Sequence, residues 1–341
     1  VTDTVADAAA AVDYTAWTTD DAGNLIPQIT ADTTILTMLR ALAVEPGMNV
    51  LEVGTGSGYS GALISALVGE AGHVVSIDID ADLVSRATKR HDQAGHANIE
   101  VHAADGFAGW ADDAPFDRVV AWTTPHLLPT PWVQQIKSGG LVVSPVKLAN
   151  VAGANAVLRC QVTDGKPYGG TLSPGSFIEM APEVITNFAL PIRYIDASRQ
   201  GDSGPPWWIS AEQLHKQPQE VAEQLLDHAS EAAPQPGFLA KDRALWEAFT
   251  SFVLAESDNP ASLGGVSGWG LGVATSDGVA VVLRSGALLA AGDERASSEL
   301  ASLLADWHNL GQPAHSNLTP VYIADNDGWE VRATVDGGLR Q

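Results

Sequence analysis

Residues 50–63, VLEVGTGSGYSGAL, constrain the fold of this chain more than any other stretch. A short Val/Leu run ends at Gly54, and Gly54-Thr-Gly-Ser-Gly58 leads into a helical segment. Glycines here permit a tight turn and let backbone approach a ligand closely. Such a loop belongs to a βαβ unit, so its neighbours must supply more strands and helices in alternation. Upstream, Ile35, Met38, Leu39 and Leu42 lie on one face of a helix over 33–44, which Pro46-Gly47 ends. Downstream, strands are predicted over 73–80, 98–106, 116–122 and 139–146, with helices over 81–93 and from Trp132 to Ile136. The pattern predicts an α/β fold with a doubly wound, Rossmann-like parallel sheet. Ligands bind outside the carboxyl ends of such strands, which places the chemistry at Glu52–Tyr59, Asp78–Asp80, Asp105-Gly106 and Trp122–His126.

The second half is organised differently. Apolar runs around Asp164-Gly165 predict a hairpin that closes the first sheet, and 196–206, rich in Pro, Ser and Asp, reads as a connector. Helices are predicted over 218–231, 241–256 and 294–310, among short strands joined at Asp277-Gly278, Ser285-Gly286 and Asn326-Asp327-Gly328. This is a smaller α+β domain. The expected division is 1–182 and 183–341, with the second part recognising substrate.

The glycine loop alone suits nicotinamide, flavin or S-adenosylmethionine, or no ligand at all. Asp78, twenty residues past Gly58 at the end of the next strand, is placed to accept from ribose hydroxyls in either cofactor class. Two features favour S-adenosylmethionine. The spacing is GxGxG rather than GxGxxG, and Asp105 at the third strand end can accept from an adenine amino group. Several carboxylates with no Arg or Lys nearby cradle pyrophosphate poorly and a sulfonium with an amino group well. Expected cofactor contacts are Thr30, Glu52, Gly54, Thr55, Gly56, Ser57, Gly58, Tyr59, Asp78, Ile79, Asp105, Gly106 and Trp122.

The stretch Ile29–Val146 resembles the protein-L-isoaspartate O-methyltransferases, which implies a class I methyltransferase sheet. The resemblance rests on VLEVGTGSGYSGAL, the acidic strand end at Asp78, NIEVHAADGFAGWADDAPFDRVV (98–120) and QQIKSGGLVVSPV (134–146). The Asp105, Gly106, Gly109, Trp110, Pro115, Phe116, Asp117 pattern is specific to that family. Its Ser-Gln-Pro signature falls on Thr30, Ala31 and Asp32, which keeps a hydroxyl and loses Gln and Pro; its Tyr-x-Asp element is not recognisable in 1–29. The C-terminal extension, with SPGSFIEM (173–180), resembles relatives that methylate an aspartate in ribosomally made precursor peptides. There the ester closes to an aspartimide as a backbone nitrogen expels methanol. The alternative is general repair of isoaspartate in proteins.

A carboxylate acceptor is already ionised at neutral pH, so alignment and exclusion of water carry the catalysis. Thr30 is the candidate aligning residue, alternatively a helix cap; Asp32 is expected to cap Thr34 or Ile35, or to meet a substrate donor. Trp122 is placed to border the sulfonium or to pack, and His126 to touch substrate or stand by. Trp207-Trp208 reads as a peptide-docking surface or as core. Nine histidines without HxxxH or Cys/His clustering argue against a metal site, and the lone Cys160 against a disulfide framework. Acidic residues number 41 against 18 basic, a net charge of −23 that disfavours nucleic acid and anionic lipid as partners. No basic signal segment or membrane-length apolar run is seen, so a cytoplasmic protein is expected. The partner is a peptide or protein bearing aspartate or isoaspartate. Two rivals are a non-catalytic, cofactor-binding peptide chaperone and a dinucleotide oxidoreductase.

Overall fold

The computed structural model describes residues 3–20, 22–26, 29–201 and 204–335. It opens with α1 (Thr4–Ala11) and α2 (Tyr14–Thr18), capped by Asp3 and Asp13, whose carboxylates accept from Ala6 and Thr15 backbone N–H groups. Next come α3 (Asp32–Leu42), β1 (Asn49–Val53), α4 (Tyr59–Val68), β2 (His73–Asp78), α5 (Ala81–Ala94), β3 (Ile99–Ala103) and β4 (Phe116–Ala121). A two-residue β5 (Leu128–Pro129), α6 (Thr130–Gln134), β6 (Ile136–Lys147), β7 (Asn155–Thr163) and β8 (Lys166–Ser173) follow. Ile136 opens β6 instead of closing the helix predicted there.

The first sheet has the order β3-β2-β1-β4-β6-β7-β8, its first five strands parallel and the β7–β8 hairpin antiparallel, as the Asp164-Gly165 turn predicts. The chain moves outward from β1 to β3, then returns to the other side of β1 as β4. The carboxyl ends of β1 and β4 therefore flank a switch point, where such sheets hold ligands. Side chains alternate across the strands. Val50, Val74, Val120 and Val143 pack with Met38 and Leu39 of α3 and Leu63 and Ile64 of α4. Leu51, Val75, Val119 and Val142 face the other way.

The second half adds β9 (Ala197–Arg199), β10 (Trp207–Ala211), α7 (Gln219–Glu231), α8 (Arg243–Glu256), β11 (Pro260–Gly264), β12 (Gly270–Ala274), β13 (Gly278–Leu283), β14 (Leu288–Gly292), α9 (Glu294–Asn309), β15 (Leu318–Ala324) and β16 (Gly328–Val335). Its antiparallel sheet runs β14-β13-β12-β11-β10-β9. Leu225 and Leu226 of α7 pack with Ile209, Leu263 and Val281. Trp246, Phe249 and Phe252 of α8 and Trp307 of α9 lie in the same core as Leu51, Val75, Val119 and Val142 of the first sheet. Residues 1–182 and 183–341 thus share one apolar core. A third sheet, β15-β16-β5, ties the last hairpin to the first half, with Trp329 paired to Leu128 and Gly328 to Pro129.

Two readings of the second half need correction. The 196–206 connector contains β9, while Asp202 and Ser203 of that stretch lie outside the described residues. Trp207 and Trp208 are only 6% and 8% exposed in β10, so they are core and present no docking surface. No helix among the described residues is long and apolar enough to cross a membrane.

Candidate active site

The glycine loop hangs from the neighbouring strand. Gly54 and Thr55 backbone N–H groups both donate to the Ile77 carbonyl, at 2.7 and 3.2 Å. Gly54 sits at φ +96°, with Trp122 so near that an added Cβ would lie 3.5 Å from the Trp122 Cβ. Gly58, at φ +83°, closes the loop against Trp17 and Ala87, each 3.1 Å from where its Cβ would be. A side chain at Gly58 therefore meets both a strained backbone and a packed neighbour.

Beneath the loop lies Glu52, fully buried. Ser60 and Ser76 hydroxyls and the Trp122 indole N–H donate to its carboxylate at 2.5, 2.6 and 2.9 Å. Burial pushes the Glu52 carboxyl above its ordinary pKa, while the three donors pull the other way. Thr55 joins through Ser76 at 2.7 Å. This network fixes the loop and turns the Trp122 ring onto the cavity edge.

Above the loop a cavity of about 510 Å³ opens at the switch point. Its wall includes Thr30, Gly54, Thr55, Gly56, Ser57, Asp78, Ile79, Gly106 and Trp122, nine of the expected positions brought together. Asp78 accepts from the Gly56 and Asp80 backbone N–H groups at 2.9 and 3.0 Å. Burial raises its pKa, opposed by those two bonds. A carboxylate has about four acceptor positions, so two donors leave capacity toward the cavity. The volume lies within the roughly 300–1,000 Å³ of small-molecule sites. The backbone cradle and the spare carboxylate acceptors fit S-adenosylmethionine; Arg86 donates to the Ser57 carbonyl at 3.0 Å from behind the loop and is not on the cavity wall.

Other predicted residues stand elsewhere. Glu52 lies under the loop and Gly58 behind it; neither is on the cavity wall. Tyr59 is 1% exposed and donates to Asp32 at 2.9 Å. Asp32 therefore caps nothing: α3 has Ala31 at its N-cap and no side-chain capping bond there, so Thr30 is not the cap either. Asp105 faces away and accepts from Phe107 N–H, starting a short 3₁₀ turn at Gly106–Ala108. His126 sits half-buried beside Phe107, its pKa lowered by burial, and does not reach the cavity. Among the described residues no group of three or more His, Cys, Asp or Glu gathers as a metal ion needs.

Val53, Asp80 and Thr123 of the wall lie within the predicted strand ends, but sequence reasoning missed the strap and the arginines. Pro174–Ile185 crosses the cavity as a strap, tied to the loop after β4. Thr124 N–H donates to the Ile178 carbonyl and Met180 N–H to the Thr124 carbonyl, both at 2.8 Å. Glu179 of the strap pairs with Lys147 at 2.6 Å, with side chains 9% and 3% exposed. Burial lowers the Lys147 pKa, and Glu179 pulls it back up. Arg243 and Arg284 also reach the wall from the second half, so the expected absence of nearby basic residues fails on that side. Only the motif SPGSFIEM signalled the strap, and nothing local signalled the arginines.

Known proteins give a consistent comparison. A family model for protein-L-isoaspartate(D-aspartate) O-methyltransferase matches residues 2–166. The protein-L-isoaspartate O-methyltransferase of Methanococcus maripaludis is 31% identical over 146 residues, 43% of this chain and 67% of that one. The second such enzyme of a Polaromonas species is 38% identical over 148 residues, 43% and 66% of the respective chains. A solved protein-L-isoaspartate O-methyltransferase matches 98% of this chain and 96% of its own at 18% identity and a TM-score of 0.50, a likeness of fold. That likeness runs through the second half, beyond the end of the family model.

Proposed function

Because the chain belongs to the protein-L-isoaspartate O-methyltransferase family, and is a methyltransferase that uses S-adenosylmethionine, we propose that its acceptor is the free carboxylate of an isoaspartyl residue in a peptide or protein. One observation supports the reading: a single cavity is walled by the glycine loop with Asp78 and also by Thr30 and the strap, with room for donor and acceptor side by side. Bound S-adenosylmethionine supplies an electrophilic methyl group on a positive sulfur, and S-adenosylhomocysteine leaves as product. Asp78 and the loop backbone hold the nucleoside, and the Trp122 ring, oriented by Glu52, borders the charged end. Thr30 donates its hydroxyl to the acceptor carboxylate and orients one oxygen for in-line attack. The strap keeps water out, so the carboxylate meets the methyl group partly desolvated.

General repair is favoured over modification of a precursor peptide. The C-terminal extension had suggested the latter, yet its fold also occurs in a solved protein-L-isoaspartate O-methyltransferase. The test is methylation, read by mass, of one peptide carrying isoaspartate, the same peptide with ordinary aspartate, and a ring-constrained aspartyl peptide. Methyl gain on the first alone is expected. Gain on the ring-constrained peptide alone would instead favour precursor modification, and no gain on any peptide would favour a cofactor-binding chaperone.

A further inference from the structure

Beside the main cavity lies a smaller hollow of about 60 Å³, and the two share Pro174, Gly175, Ser176, Arg243 and Arg284. It holds about twice a water's share of liquid volume, roughly 30 Å³, enough for a carboxylate group. Its floor is built from the second half. The Arg284 guanidinium lies over two indoles, 4.7 Å from the Trp269 ring centre and 5.4 Å from that of Trp246. Trp246 is fixed by a bond from its ring N–H to the Val282 carbonyl at 2.8 Å. Trp269 occupies space that only a glycine at 153 leaves open, since a Cβ there would lie 2.6 Å from the ring. The two ring faces hold the cation in place, and among the described residues its side-chain N–H groups make no hydrogen bond.

The charge count around the hollow favours an anion. Glu247 is already paired with Arg243 at 2.8 Å, and Arg284 closes no salt bridge among the described residues. His315, also on the wall, is held neutral by burial, its pKa lowered to about 4. Among the described residues that line the hollow, Arg284 is therefore the one cation outside a salt bridge, on a chain of net charge −23.

We propose that Arg284 is a specificity-determining residue that pairs with a second carboxylate of the peptide substrate, carried beside the methyl-accepting residue. The assignment rests on the methyltransferase reading above. The second carboxylate has two possible sources, a flanking Asp or Glu side chain or the chain terminus.

Matched isoaspartyl peptides with Glu or Gln beside the acceptor, each with a free or amidated C-terminus, distinguish these sources. The carboxylate-bearing peptide is expected to have a KM about tenfold lower, the scale of one charge-assisted pair. A gain from Glu identifies the side chain; a gain from the free terminus identifies the chain end. Arg284→Gln should collapse the preference, and Arg284→Glu should reverse it toward a Lys-flanked peptide. That reversal cannot come from misfolding. Methylation blind to flanking charge, or a preference that survives Arg284→Gln, overturns this assignment alone. Absence of methylation on every peptide overturns the methyltransferase reading and this assignment with it.

Discussion

Thr30 and Asp78 wall the same cavity but are assigned different partners, so their substitutions should separate. Asp78→Ala removes the acceptor assigned to the ribose and also frees the Gly56 N–H. Cofactor binding, measured by calorimetry, should weaken by about 1–3 kcal/mol. Thr30→Ala should lower kcat while the cofactor Kd holds; a rise in Kd alone would move Thr30 to the nucleoside. At this scale the places of Gly54, Gly56, Asp78 and Trp122 on the cavity wall were legible because position at a strand end decides them. Glu52, Tyr59 and Asp105 were not, because position does not say where a side chain turns. Glu52 shares the strand face of Val50 and is covered by α4, where Ser60 waits for it. Arg243 and Arg284 lie far along the chain in segments whose local pattern speaks only of packing.

The strap is an element without secondary structure, held by its ties to the Thr124 backbone and by Glu179. Lys147→Met would leave the buried Glu179 carboxylate with only Arg193, at a looser 3.9 Å. Breaking a buried pair in this way costs about 3–5 kcal/mol. Amide exchange at Phe177–Ala181 should accelerate while that of β1 stays slow, and the KM for peptide should rise. Equal protection in both proteins would mean that the backbone ties suffice. Regular elements were more readable than the strap, since periodicity marks α3, α8 and α9 directly. Helices α1 and α2 escaped notice because an alanine-rich acidic segment lacks a strong apolar stripe, although Asp3 and Asp13 stand where caps belong.

Seen whole, the two halves cover one another. The face of the first sheet formed by Leu51, Val75, Val119 and Val142 has α8 and α9 of the second half in its core. A chain cut after Pro182 would expose that face and the open edge at Leu128. It should lose its cooperative calorimetric transition and bind hydrophobic dye; a sharp transition with native cofactor affinity would show the halves to be separable. The sequence pattern suggested a boundary near residue 182 and gave no sign of the shared core, because contacts so distant in sequence leave no local trace.

The pairing of β16 with β5 also orders events in time. During synthesis the glycine loop emerges early, yet the strand beside Leu128 arrives only with Trp329, after both arginines of the rim. The cavity wall is therefore complete in the nascent chain once Arg284 has emerged, whereas the edge at Leu128 stays uncovered until Trp329 follows.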